Sequence, residues 1–267
     1  MIKKKSLGQH FLKSKTALSA IIDASDPQDD NIILEIGPGE GVLTEALLGF
    51  AGKVVAIEKD ERLIPYLKEK FAKYIENEKL EIIEKDILEF NPEILSFYKH
   101  PYKVVANIPY YITGQILRMF LETKYQPESM TLLVQKEVAE RIVAKPASAG
   151  GDGKESLLSL SVKVFGEPKL IKTVPRGAFA PQPNVDSAIL KIENISNSKL
   201  SGINPKFFFK ILHAGFAHKR KQLVPNLSSL YNKKLILEVF EKCDIDTKIR
   251  AEDLPLTTWI KLSKMLE

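Results

Sequence analysis

The chain has 267 residues, 44% hydrophobic and 27% charged, with a net charge of +5, which allows a sizeable core in one large domain or two. Its one cysteine, Cys243, excludes an intramolecular disulfide and a Cys-cluster metal site and fits a reducing compartment. No apolar run is long enough to span a bilayer, and Lys3-Lys4-Lys5 is followed by Ser-Leu-Gly-Gln-His rather than an apolar secretory segment, so a cytoplasmic protein is expected.

The charge is unevenly placed. Residues 1–15 hold five Lys and no acid, and residues 205–267 hold 12 Lys+Arg against 7 Asp+Glu, which leaves the middle of the chain at −5. A body without positive excess and two basic ends suits a polyanion gripped at the ends.

In chain order, Lys3–Leu12 is too polar for a helix and too rich in Phe and Leu for a free tail, so it is expected to dock. Lys15–Ala24 places Leu18, Ile21 and Ile22 at helical spacing before a solvent-facing Asp-Pro stop. Asn31–Ile36 reads as a buried strand, followed by Gly37-Pro38-Gly39-Glu40-Gly41 and the helical pattern Val42, Leu43, Ala46, Leu47. Val54–Ile57 is a second strand. Glu58 then falls 21 positions after Gly37, where an acid at a strand end binds ribose hydroxyls. The Gly-x-Gly-x-Gly spacing, preceded by Glu35, departs from the Gly-x-Gly-x-x-Gly of nicotinamide enzymes and favours a nucleoside ligand without a pyrophosphate. Leu63–Tyr74 is an amphipathic helix and Leu80–Ile83 a third strand. Asp86 lies beyond it, placed to accept from an adenine amino group.

Lys103–Ala106 reads as a central parallel strand that stops at Asn107-Ile108-Pro109-Tyr110-Tyr111, and loops just past such strand ends hold ligands in open α/β sheets. Asn107 supplies an acceptor oxygen, Pro109 stiffens the backbone and leaves carbonyls free, and Tyr110 offers a flat face to a base. No strong base or nucleophile is present. Thr113 is placed to cap a helix through about Leu121, Met130–Val134 is a fifth strand and Lys136–Ala144 a helix ahead of a loop over 147–153. Residues 157–164 fit both alternation and helical spacing. Lys169–Val174 and Val185–Ile192 read as strands around a proline-stiffened loop that carries Phe179, a ring that either closes on a base or fills the core. Residues 196–204 form an expected linker, and the remainder is helical. Between its first two helices, His218-Lys219-Arg220-Lys221 reads either as a phosphate contact or as a solvated helix end.

Four stretches carry a resemblance: Lys4–Leu12, Glu35–Gly41, Asn107–Tyr110 and Phe179–Ala188 together resemble the ribosomal RNA adenine dimethyltransferases, in the same order and across nearly the whole chain. The resemblance implies a Rossmann-like α/β fold with a mainly parallel seven-stranded sheet over residues 1–195 and a small helical RNA-binding domain over 205–267. It makes 155–165 a helix. It implies S-adenosyl-L-methionine as cofactor, with His10, Leu12, Gly37, Glu58, Asp86 and Asn107 at contacting positions and Glu35, Gly39 and Gly41 completing the turn. Asn107, Pro109, Tyr110 and Phe179 become the catalytic set for N6,N6-dimethylation of two adjacent adenosines near the 3′ end of small-subunit rRNA. The partner is then rRNA in a pre-ribosomal particle, held by Lys3, Lys4, Lys5, Lys219, Arg220 and Lys221. A monomer, no metal and no membrane are expected. Ile108, where small-subunit enzymes more often have Leu, and Tyr111 with Gly114 depart from the pattern. Ile at that position is common in methyltransferases of large-subunit rRNA, the nearest alternative; an assembly factor with secondary methylation is another. The Gly8-Gln9-His10 and Val185–Ala188 segments favour the small-subunit branch.

Overall fold

The computed structural model describes residues 10–98, 100–151 and 153–267. The elements in chain order are β1 (Phe11–Leu12), α1 (Lys15–Ser25), β2 (Ile32–Ile36), α2 (Val42–Leu47), β3 (Lys53–Glu58), α3 (Leu63–Lys70), α4 (Ala72–Glu76), β4 (Leu80–Glu84) and β5 (Tyr102–Asn107). They continue with α5 (Thr113–Leu121), β6 (Ser129–Gln135), α6 (Lys136–Val143), α7 (Leu157–Lys163), β7 (Glu167–Val174), β8 (Phe179–Ala180), β9 (Ser187–Glu193), α8 (Pro205–Gly215), α9 (Leu223–Leu227), α10 (Lys233–Cys243) and α11 (Leu256–Leu266). They fall into two compact units: Met1–Ala139 with Glu167–Ile195, and Glu140–Gly166 with Ser196–Glu267.

The first unit is built on a seven-stranded sheet in the order β4-β3-β2-β5-β6-β9-β7. Its first five strands are mutually parallel, β9 is antiparallel to β6, and β7, antiparallel to β9, runs with the first five again, so the expected mainly parallel, Rossmann-like sheet is what the chain forms. Strands buried on both faces should read as unbroken apolar runs. The inner residues of β5 do so, and β2 does apart from the buried Glu35, with Ile33, Leu34, Val104 and Val105 fully buried. Pairing of Ile36 with both Ile57 and Ala106 levels the carboxyl ends of β3, β2 and β5. The strand order reverses at β2, which is where an open α/β sheet leaves a crevice. A second, two-stranded sheet pairs Phe11 with Ala180 and Leu12 with Phe179, which is how the end of the expected docking segment is held; its residues 3–9 lie outside the described residues.

Three expectations are corrected. The single helix over 63–74 breaks into α3 and α4 at Phe71, whose φ of −112° and ψ of 19° leave the helical range while its ring is buried. The linker over 196–204 is packed: Leu200 and Ile203 are buried around the short 3-10 turn Ser198–Leu200, because these two apolar side chains gain more from burial than a solvated spacer would. The cut at residue 195 also overlooks 140–166, which groups with the C-terminal helices. Residues 157–163 are helical, opened by Ser156, whose hydroxyl accepts from Ser159 N–H. Lys163 Nζ donates to both oxygens of the buried Glu155 at 2.8 and 2.9 Å. Glu155 N–H donates to the Glu252 carbonyl, and Phe165 stacks on Phe209 at 5.9 Å.

In the second unit α8, α9, α10 and α11 bury one apolar stripe each, with Phe208, Ile211, Leu227, Ile236, Phe240 and Trp259 fully enclosed. Asn204 and Asn232 cap α8 and α10 through their side-chain oxygens, and Pro205 occupies the first turn of α8. Among the described residues no helix is long and apolar enough to cross a membrane.

Candidate active site

A cavity of about 200 Å³ opens at the levelled strand ends of the first unit. Gly37 and Gly39, after β2, and Glu58, at the end of β3, form one side of it. The turn depends on its glycines: φ is +68° at Gly37 and +59° at Gly39, where a side chain is strained. A Cβ on Gly39 would stand 2.6 Å from the Phe11 ring, whereas nothing lies within 4 Å of one on Gly37. The chain therefore holds the Gly37 backbone bare toward open space. Gly41, at +76°, is the N-cap of α2 and does not line the cavity.

Glu58 is 5% exposed and receives the N–H groups of Gly39 at 3.1 Å and Asp60 at 2.8 Å, one on each carboxyl oxygen. Burial pushes its carboxyl above the usual range, against the pull of those backbone donors. Each oxygen keeps a second acceptor position, which a ligand hydroxyl could fill. Asp86, past β4, lines the same side. It accepts from Leu88 N–H at 3.0 Å and from Lys59 Nζ, and the hydrogen bond from Lys59 holds it below the ordinary range.

Across the cavity stand Asn107, Ile108, Pro109, Tyr110 and Tyr111. Asn107 Nδ2 donates to the His10 carbonyl at 2.9 Å; since that carbonyl can only accept, the amide orientation is determined and Oδ1 remains as an acceptor. The Pro109 carbonyl receives Ile112 N–H at 3.2 Å, so it retains one lone pair rather than two. The Tyr110 hydroxyl shares a 2.7 Å hydrogen bond with Ser187 Oγ, and its ring lies 6.0 Å from that of His10 at 19°. Burial raises the phenol's pKa, which keeps it neutral. His10 Nδ1, 2.8 Å from the Pro181 carbonyl, carries the proton of that contact.

The structure thus brings His10, Gly37, Gly39, Glu58, Asp86, Asn107, Pro109 and Tyr110 to one cavity, and leaves others out. Phe179 is corrected from a clamp to packing: it is 5% exposed and belongs to a core cluster with Leu12, Val174 and Ile189, because β8 pairs with β1 and turns the ring inward. Leu12 is buried in that cluster. Glu35 does not line the cavity either. It is 1% exposed, and neither carboxyl oxygen has a well-formed hydrogen bond, with Thr44 its nearby polar neighbour. Burial pushes its pKa up to about 8, with Thr44 offsetting part and the charge of Glu58 adding to it. Lys59 was missed by sequence reasoning although it stands one residue beyond Glu58; its pairing with Asp86 joins two strand ends and has no local signal.

Of the basic residues, Lys3, Lys4 and Lys5 lie outside the described residues. Lys219, Arg220 and Lys221 are exposed in the turn after α8. Beneath them Asn226 Nδ2 donates to the carbonyls of Gly215 at 2.6 Å and His218 at 3.2 Å, which fixes the turn's entry. Among the described residues no group of three His, Cys, Asp or Glu is placed to hold a metal.

Comparison with known proteins agrees with this geometry. A family model described as "Ribosomal RNA adenine dimethylase" matches residues 2–267. A protein of Dehalococcoides mccartyi named "Ribosomal RNA small subunit methyltransferase A" is 45% identical over 97% of this chain and 87% of its own length. One of the same name from Enterococcus faecalis is 38% identical over 99% and 90%. Among solved structures, a dimethyladenosine transferase from Plasmodium falciparum is similar with a TM-score of 0.80 at 30% identity, covering 95% of this chain and 96% of that one. The 23S rRNA methyltransferase ErmE shares the fold, at a TM-score of 0.74 and 24% identity over 96% and 99%. With a family match over nearly every residue and relatives aligned end to end, the chain belongs to the ribosomal RNA adenine dimethylase family.

Proposed function

We propose that this protein uses S-adenosyl-L-methionine to dimethylate N6 of two adjacent adenosines near the 3′ end of small-subunit rRNA, as a cytoplasmic monomer acting on a pre-ribosomal particle. Its relatives at 38–45% identity carry the small-subunit name, which disfavours the large-subunit alternative. The observation that carries the reading is Asn107: its amide nitrogen is committed to the His10 carbonyl, so the acceptor oxygen stays available in a cavity that also holds a bare glycine turn.

The residues present fit the cofactor. The open backbone of Gly37 accepts close approach, the spare acceptor positions of Glu58 suit ribose hydroxyls, and Asp86 beside Ile87 suits an adenine edge and face. When bound, S-adenosylmethionine supplies a methyl group made electrophilic by its sulfonium.

The protein's own contribution is positional and electrostatic. The target adenosine must leave its stack to reach the cavity, and the Tyr110 ring, anchored through Ser187, offers it a fixed face. The amine lone pair of adenine is delocalised into the ring and nucleophilically weak. Asn107 Oδ1 and the remaining lone pair of Pro109 accept its N–H hydrogens, which favours the pyramidal amine of the transition state over the flat ground state. No side chain need act as a strong base. The single experiment is labelled methyl transfer to unmethylated small-subunit particles and, in parallel, to large-subunit rRNA, with the product base identified. Dimethyladenosine in the small subunit is expected; transfer confined to large-subunit rRNA would refute the assignment.

A further inference from the structure

Among the described residues, Tyr111 is the one aromatic ring at the cavity that folding does not account for. It is 70% exposed, the highest value among the large hydrophobic side chains of the described residues, yet its backbone is held on both sides. The 3-10 turn Tyr110–Ile112 is closed by Ile112 N–H on the Pro109 carbonyl and by Thr113 Oγ1 on the Tyr110 carbonyl at 3.0 Å, and Ile112 itself is buried. A rigid pedestal therefore presents a flat, amphipathic ring to solvent at the mouth of the cavity, immediately after the residue whose ring serves the target base.

A second observation lies three residues on. Residues three apart on a helical turn are neighbours on one face, and the residue there is Gly114, exposed near the start of α5. A Cβ at Gly114 would meet nothing within 4 Å, and no left-handed backbone conformation requires glycine there. Neither packing nor conformation demands it; its effect is to leave the flank of the Tyr111 ring clear.

We propose that Tyr111 is a second stacking platform, taking the base next to the target adenosine while the target occupies the cavity, with Gly114 keeping that platform open. The inference rests on the RNA reading above and deepens it. Base stacking on an aromatic face is sequence-tolerant, so the same ring takes whichever base adjoins the target on its side, and supports both rounds of modification.

The test uses the full chain and unmethylated small-subunit particles at saturating cofactor, with single-turnover rate followed against particle concentration. Tyr111→Ala is expected to raise the half-saturating particle concentration by about five- to a hundred-fold, the range of one lost base stack, with a smaller change in maximal rate and unchanged cofactor affinity by calorimetry. Tyr111→Phe, which keeps the ring, should restore wild-type behaviour, and Gly114→Leu, which crowds the flank, should reproduce the Ala defect. Wild-type half-saturation in Tyr111→Ala overturns the proposal. So does a loss of cofactor affinity in that variant, which would make the ring a cover for the cofactor. Absence of dimethyladenosine with the wild-type protein overturns the RNA reading itself, and this proposal with it.

Discussion

Along the side of the cavity formed by the ends of β2, β3 and β4, polar groups already have partners: Glu58 takes two backbone N–H groups, and Asp86 takes Leu88 N–H and Lys59. Along the side formed by the end of β5, capacity is left over, in Asn107 Oδ1, in one lone pair of Pro109 and in the exposed ring of Tyr111. A ligand that need only be held can be met by a preformed surface whose carboxylates are already oriented by protein donors, which costs little reorganisation. A group that changes shape during reaction needs partners whose hydrogen bonds are still unmade in the ground state. The two sides differ in what fixes them: backbone and lysine donors orient the carboxylates of the first, and the second presents an amide oxygen, a carbonyl and a ring.

The largest effect is expected for Phe179→Ala. If the ring is packing under the β5 side, truncation should cost about 3–5 kcal/mol of stability in denaturant unfolding, as for other core Phe residues, while the folded fraction turns over at near the wild-type rate. Unchanged stability with collapsed turnover would return Phe179 to the reacting side. Asn107→Ala should lower single-turnover methylation about 10²–10³-fold, by analogy with removing one preorganised hydrogen-bonding group from a transition-state site. Cofactor affinity is measured alongside because Asn107 also tethers His10; a rate loss explained wholly by weaker cofactor binding would move Asn107 to the opposite side of the comparison.

Glu58→Ala should weaken cofactor binding by about 1–3 kcal/mol in calorimetry and leave RNA affinity alone, whereas wild-type cofactor affinity would show that the paired side is structural only. Neutralising Lys219, Arg220 and Lys221 touches neither side. It should flatten the salt dependence of RNA binding, by about one unit of slope per lost phosphate contact, with cofactor binding unchanged; an identical salt slope would assign the run to solvated surface.

Much of the site was legible because its signals are local. The Gly37–Gly41 turn, Glu58 at the next strand's end and the Asn107–Tyr110 stretch each declare a strand terminus within a few residues, and the parallel sheet then levels those termini without further instruction. What was not legible is what depends on pairing far along the chain. Phe179 sits in a loop that looks open, but its partner Leu12 lies more than 160 residues earlier, and only that pairing shows the ring turned inward. Residues 157–164 satisfy two periodicities at once, so their helix is decided by what they pack against: Phe165 on Phe209 and Glu155 on Lys163. Leu200 and Ile203 were masked by the Ser and Asn around them, since composition averages over the two side chains that matter.

The grouping of 140–166 with 196–267 has a consequence for synthesis. The chain crosses between the two units three times, after residues 139, 166 and 195, so the second unit is not a segment that can close as soon as its own stretch leaves the ribosome. Residues 140–166 emerge roughly 100 residues before the last helix ends, a delay on the order of 5–20 s at bacterial elongation rates. Early in that interval Lys163 and Glu155 have each other, but the Phe209 ring that covers Phe165 is made only later in it, and the Glu252 carbonyl that receives Glu155 N–H later still. A release of the chain short of Glu252 would thus leave the early-made 140–166 segment without the carbonyl that receives Glu155 N–H.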